Sequence, residues 1–318
     1  FKEVASNLFT YVFFRSLQSF VTFFGALLLF FFIVRILPGD PARLLAGPEA
    51  SEEDVARIRE LLGLNKPIYE QLFSYITGIL RGDLGVSLKY GTPVLHEILA
   101  RLPYTIALAL VAEAIAIAIA VPLGVLAALK PRSVIAYLAS TLGILGASLP
   151  VFWVGLMLIF IFAVELRVLP SSGAESPKHI ILPALTLSFF LMGNLTRITR
   201  AAVLEALSSN HILTAIAKGL PLNKVLVRHV LRISLIPILT VISLQLGALL
   251  GGAIITETVF AWPGIGSLLV DSLFFRDYVL AQGIIMLVVG FFIVLNLLTD
   301  IAYALVDPRV REILWRIR

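Results

Sequence analysis

The chain has 318 residues, 59% of them hydrophobic and 14% charged, with a formal net charge of +5 and a mean hydropathy of +0.99. Soluble globular chains run at about 45–50% apolar and about 25% charged, so this composition belongs to an integral membrane protein. Lack of cysteine excludes disulfides, thiolate metal sites and cysteine nucleophiles, and the four histidines show no metal-binding spacing.

Arg15 precedes an apolar run from Leu17 to Leu37, long enough at about 20 residues to cross the hydrocarbon core. The run ends in RILPGDP without a small-x-small cleavage site, so it reads as a first span rather than a secretory signal, with the N-terminus inside. From Pro38 to Arg101 the chain turns polar and reads as a small extracytoplasmic lobe in which acids slightly outnumber bases. Ser51 and Asp54 form a capping box, with Glu52 and Glu53 in the positive first turn of a helix that Gly63 stops. Pro67 starts a second helix, where Ile68, Leu72, Ile76 and Leu80 make one apolar stripe that faces either the lobe or the membrane interface.

Four more apolar runs follow the second span, Pro103–Leu129. They are Val134–Val164, where Pro150 is placed to kink or break the helix, Ile180 to about Ile198, Ile236–Phe260 and Ala281–Val306. The expected fold is all-α, with six transmembrane helices and both termini cytoplasmic. The divisions are 1–37 (N-terminus and first span), 38–101 (lobe) and 102–318 (membrane core). Lys130-Pro131-Arg132, the stretch between the fourth and fifth spans, and the tail with Arg309, Arg311, Arg316 and Arg318 are all basic, which the positive-inside rule places in the cytoplasm. That rule also explains the basic residues without nucleic acid, since no aromatic residues are interleaved with them. The fifth span carries Gly247-x-x-x-Gly251, a close-packing spacing. No internal repeat is evident, which counts against the inverted-repeat secondary transporters.

The loop between the fourth and fifth spans, residues 197–235, holds Arg197, Arg200, Lys218, Lys224, Arg228 and Arg232 against one acid, Glu205. Asn210 is placed to cap a short helix, His211–Lys218, that Gly219 ends. Pro221 is placed to open a second helix. Lys224, Arg228 and Arg232 recur every four residues as one positive stripe, which meets either acidic protein residues or lipid phosphates. Within spans, ionisable residues are costly and functional by default. Glu113 lies mid-span, as a translocation-path residue or as a protonated packing residue. Glu257, near the outer end of span five, is structural or part of a gate. Asn296, Thr299, Asp300 and Tyr303 share one polar face on the inner half of span six, which needs protein or water, with Arg197 and Arg200 as candidate partners.

RILPGDPARLLAG, LGLNKPIYEQ, GDLGVSL, VPLGVLAAL, LPVFWVGL, LPSSG, ILPALTLS, TAIAKGL, RHVLR, ALLGGAIITETVFAWPGIG and ALVDPRVR follow one another along the whole chain. In this order and spacing they resemble the dipeptide/oligopeptide/nickel class of ABC-importer permeases, specifically the first of two permease subunits. The resemblance implies a non-enzymatic subunit with a second permease, two ATP-binding subunits and an extracytoplasmic solute-binding protein as partners. The chain has no GxxxxGK[ST] loop, so ATP that drives it is bound by another chain, and the resemblance implies that the partner subunits use the ATP and that this chain binds no cofactor. Its relatives carry peptides, nickel chelates or oligosaccharides. The resemblance further implies that the loop holds a coupling helix seated in the ATPase. Gly219 takes the motif's glycine position, Leu213, Thr214 and Ala215 fall where Glu-Ala-Ala stands in relatives, and Lys218 precedes the glycine. The motif glutamate is absent, and Arg232 stands where many relatives carry proline. A self-sufficient secondary transporter or channel is the alternative, and it leaves this folded loop without a purpose.

Overall fold

The computed structural model of the chain describes residues 2–36, 41–47, 49–61 and 63–306, with the side chains of 13–33, 42–43, 46–47, 49–60, 63–221, 223–249 and 253–297 among them. The four tail arginines lie outside the described residues, as do the side chains of Thr299, Asp300, Tyr303 and Gly251's surroundings.

Among the described residues the regular structure is helical, apart from one isolated antiparallel bridge, Val86 to Pro93. Five helical stretches are long and apolar enough to span a membrane, and a sixth candidate is a bent pair. Helix α1 (Lys2–Ile36) is peripheral, burying Leu27 and Phe31 while Phe20, Val21 and Leu29 stay exposed. The short helices α2 (Pro41–Ala46), α3 (Glu52–Leu61) and α4 (Ile68–Leu80) make the polar lobe. The Ser51 hydroxyl accepts from the Asp54 N–H at 3.2 Å and donates to its carboxylate at 2.6 Å, so the expected cap forms. The stripe on α4 is split: Leu72 and Ile76 are half-buried, whereas Ile68 and Leu80 are exposed. The Tyr75 ring lies 5.8 Å from that of Phe31, bringing α4 against the far end of α1.

Helix α5 (Val94–Leu129) starts nine residues before the apolar run and passes through Pro103. Its 36 residues reach about 54 Å at 1.5 Å each, well beyond the ~30 Å hydrocarbon core, so its first turns stand clear of the membrane. There Glu97 and Arg101 pair at 2.5 Å, one helical turn apart. Helices α6 (Val134–Ser148) and α7 (Val151–Leu158) with a π-helical turn (Ile159–Glu165) form the third apolar run. They bend by 108° at Leu149-Pro150, where the proline has no N–H to continue the ladder. Alone, the 15 residues of α6 reach only about 22 Å.

Helix α8 (Ile181–Leu207) is the axis of the molecule, the most buried of the spans, and packs on α5, α6 and α11. Small residues let the helices close on it. The Cβ that Gly146 lacks would sit 3.2 Å from the Gly193 Cα, so the α6 and α8 backbones nearly touch there. Alanines 109, 112, 116 and 120 of α5 meet Leu187, Leu191 and Leu195 of α8 in the main core. A short α9 (Asn210–Ala217), α10 (Leu222–Val225) and a π-helical turn (Leu226–Val230) lead into α11 (Leu231–Gly252). Gly247 of α11 makes ordinary contact with Phe292, at 3.6 Å from its would-be Cβ. Span five ends at Gly252, and residues 254–274 fold as two small helices, α12 (Ile254–Val259) and α13 (Ile265–Phe274). Helix α14 (Tyr278–Val306) closes the chain against α1 and α11.

Candidate functional site

The fold has two poles. At one, the ends of α5 and α8 meet the connector α9–α10 around a cluster of Ala128, Val203, Ala206, Ile212, Val225 and Val230. Ile212 is fully buried there and hangs α9 from the two spans. Sequence reasoning gave Asn210 the N-cap, but the structure moves that position to Ser209 and puts Asn210 in the first turn. The Ser209 hydroxyl donates to the Ala206 carbonyl at 2.6 Å, so it finishes α8 rather than capping α9. Pro221 likewise precedes α10 instead of opening it, with its carbonyl accepting from Lys224 N at 2.9 Å.

The end of α9 is as expected. Gly219 has φ +80°, its N–H donates to Ile216 O at 2.9 Å, and Leu220 N donates to Ala215 O at 3.3 Å. This pair of bonds is the Schellman arrangement, which fixes the direction in which the chain leaves the helix. Of the expected coupling residues, Leu213, Thr214, Lys218 and Gly219 are exposed, while Ala215 is half-buried against the cluster. Two residues join them that sequence reasoning did not name. Ile216 and Leu220 stand at 44% and 40% exposure beside Leu213 at 52%, giving α9 an apolar outer face. The i, i+3 spacing of Leu213 and Ile216 carried that signal in the sequence, while Leu220 follows the Gly219 turn, past the end of the helix.

At the opposite pole Glu257 organises the polar groups. Its side chain is wholly buried, with one carboxylate oxygen accepting from the Thr105 hydroxyl at 2.7 Å and the other from Ser267 N at 3.0 Å. Thr105 in turn accepts from Ile265 N at 2.8 Å. The carboxylate therefore occupies the N-terminal end of α13, where free N–H groups and the helix dipole favour negative charge. Gly264 and Gly266 make room for it: a Cβ on Gly264 would collide with the carboxylate, and one on Gly266 would come within 2.8 Å of it. Trp262 adds a second tie to α5 through Nε1 and Tyr104 O, at 3.0 Å. Nearby, buried Asp277 accepts from the Ser87 hydroxyl at 2.6 Å and caps α14 at Leu280 N, 3.0 Å away. These contacts make Glu257 the bond between α5, α12 and α13, and join the lobe to α14 through Asp277.

Glu113 is 2% exposed, and neither carboxylate oxygen has a hydrogen-bond partner among the described residues. It lies on α5 between the alanines of the main core. Asn296 donates to Phe292 O of its own helix at 2.8 Å. Asp300 falls within α14, but its side chain lies outside those described. Arg197 and Arg200 bond elsewhere, to Asn194 at 3.2 Å and Ser140 at 3.2 Å.

Helices long and apolar enough to cross a membrane, packed round a buried axis, define a multi-pass membrane protein. Residues 120–312 match the family model described as the inner membrane component of binding-protein-dependent transport systems, and residues 8–109 match the N-terminal model of such membrane components. The chain is 39% identical over 323 residues to the dipeptide transport system permease protein DppB of Escherichia coli K12, covering 92% of this chain and 95% of that one. It is 41% identical over 301 residues to the glutathione transport system permease protein GsiC of the same strain, covering 95% and 98%. The chain belongs to the family of binding-protein-dependent transport system inner membrane components, and is a multi-pass permease subunit of a peptide-class ABC importer rather than an enzyme.

Proposed function

We propose that this permease forms half of a translocation path for short peptides or peptide-like solutes, beside a second permease chain. Two cytoplasmic ATP-binding subunits drive it and an extracytoplasmic binding protein supplies the cargo. The dipeptide and glutathione named for the two relatives support that cargo class. In this reading α9 is the coupling helix, both termini and the basic pole are cytoplasmic, and the lobe receives the binding protein. ATP is bound by the partners and no cofactor by this chain. Glu113 and Glu257 act at the path or its gate only through their packing, in keeping with their burial, and Asn296 and Asp300 belong to the cytoplasmic half of α14.

One observation carries the reading: α9 is held rigidly on its inner side by Ile212, yet leaves Leu213, Ile216 and Leu220 uncovered. Exposed apolar residues at a water-facing pole mark a protein-binding surface. The complex purified from its native membrane should contain a second permease chain and two nucleotide-binding chains. Leu213→Glu with Ile216→Glu should strip the nucleotide-binding chains and leave the second permease in place. Their full retention with normal transport would overturn the assignment. Because the chain lacks cysteine, single cysteines report the orientation directly. Those at the exposed Ser51 and Ser74 should react with an impermeant thiol reagent on intact cells, and one at Ser208 only after lysis. The reverse pattern would invert the topology.

A further inference from the structure

The basic stripe edges a shallow, open groove. Lys224, Arg228 and Arg232 line one groove of about 920 Å³, together with Asn223 and an apolar wall. That wall is Val227, Leu231, Leu235 and Ile238 from the α10–α11 side, faced by Val121 of α5. The volume is that of a ligand site rather than of a packing defect. All three cations are exposed, and none has an acidic partner or a side-chain hydrogen bond among the described residues. The groove runs along the α10–α11 direction, which on the membrane placement proposed above leads from the headgroups toward the bilayer core. Lys224 to Arg232 rises about 12 Å, and Leu235 and Ile238 continue another turn or two beyond, toward the bilayer core. Cations therefore stand at headgroup level, and hydrocarbon side chains line the deeper part.

We propose that this groove binds one anionic phospholipid, its phosphate held by Lys224, Arg228 and Arg232 and an acyl chain lying along Val121, Leu231, Leu235 and Ile238. Two features select this occupant. Three uncompensated positive charges demand an anion, and basic pockets between spans on the cytoplasmic side suit acidic headgroups. The deeper wall carries no polar group that a hydrated cargo could use, whereas an acyl chain needs none. Long side chains at the three positions can also follow the headgroup, their stems covering apolar surface.

The test uses the assembled transporter in nanodiscs of phosphatidylcholine alone or with phosphatidylglycerol, followed by native mass spectrometry of retained lipid. The wild type should keep one phosphatidylglycerol at this chain and no matching phosphatidylcholine. Each single neutralisation, Lys224→Gln, Arg228→Gln or Arg232→Gln, should weaken retention about fivefold, the effect of about one surface cation on an anionic headgroup. Leu235→Trp, at an exposed position of the wall, fills the acyl side with every charge intact and should also lower retention. Excess inorganic phosphate should not displace the lipid, because it cannot replace the acyl contact. Equal retention of the two lipids, or unchanged phosphatidylglycerol in both Arg228→Gln and Leu235→Trp, would overturn the site. So would a photo-crosslinker at Val227 that captures the second permease chain instead of lipid.

Discussion

The two poles handle polar and apolar groups in opposite ways. Around Glu257 and Asp277 charge is taken inside and every carboxylate oxygen meets a donor of this same chain, across as many as 190 residues of sequence. Around α9 the chain leaves Leu213, Ile216 and Leu220 uncovered, and beside it three cations stand unpaired among the described residues. Buried polar groups must be satisfied internally because nothing else will reach them, so the first pole holds the fold. An apolar face and unpaired cations left in the open are costly unless something covers them. The second pole is therefore the one that meets other molecules.

The comparison breaks most visibly at Glu257. Glu257→Ala removes the acceptor for the Thr105 hydroxyl and Ser267 N at once, leaving buried donors that cost about 1–3 kcal/mol each. Gly264→Ala attacks the same spot sterically, since its Cβ would overlap the carboxylate. Both should sharply lower the amount of folded permease recovered from membranes and lower its melting temperature. Wild-type yield and melting for both would mean that this pole does not hold the fold.

Gly219→Val should do the converse, sparing the fold and damaging its use. The position has φ +80°, which a β-branched residue tolerates poorly, at a cost of about 1–3 kcal/mol. Nothing lies within 4 Å of its would-be Cβ, so the effect comes from the backbone turn and not from a clash. The spans should still insert, because their backbone bonds are internal. ATP hydrolysis by the purified complex should no longer respond to loaded binding protein, or the ATPase chains should be lost. Normal assembly with full stimulation would separate this loop from coupling.

How much of this could be read beforehand follows from how local each feature is. Long apolar runs, the Ser51 cap and the Gly219 turn depend on neighbours a few residues apart, and all three appear in the structure. The break at Pro150 was legible for the same reason. Ser209 and Asn210 are adjacent capping residues, and Ser209 takes the N-cap position of α9 although its hydroxyl bonds back to α8. The surroundings of Glu257 were out of reach, because Thr105 lies 152 residues away and nothing local marks the pairing. The length of span five was misjudged by a similar route. Hydropathy continues through Phe260, but the helix stops at Gly252 to form the small helices that Glu257 joins.

Glu113 tests the contrast from the middle of the membrane, since it is buried as at the first pole yet lacks the partners found there. Glu113→Gln keeps the shape and removes the ability to ionise. With 2% of the residue exposed, the side chain has no access to cargo in this conformation, so the variant should assemble and transport within about twofold of wild type at every pH. A tenfold loss of transport with intact assembly would show that the carboxylate reaches the path in another state of the cycle.

The smallest effect is expected in the lobe, at the cap of α3. Ser51 satisfies the Asp54 N–H and donates to the Asp54 carboxylate, and this hydroxyl bond holds the Asp54 carboxyl below the usual carboxylate range. Ser51→Ala removes both contacts, so amides in the first turn of α3 should exchange with solvent about fivefold faster at neutral pH, the usual scale for a lost N-cap. The sign of the pH effect follows from the depressed value. Ionised Asp54 favours the folded turn above the ordinary carboxylate pKa of about 3.9, and that contribution disappears as pH falls through the lower, folded-state value. Wild-type and Ser51→Ala exchange should accordingly converge in acid, after correction for intrinsic rates, leaving only the difference due to the N–H bond. A gap that is unchanged across that range would show that the hydroxyl–carboxylate bond contributes nothing to the turn. A gap that widened would mean the bond favours the protonated carboxyl, opposite to the sign its geometry gives.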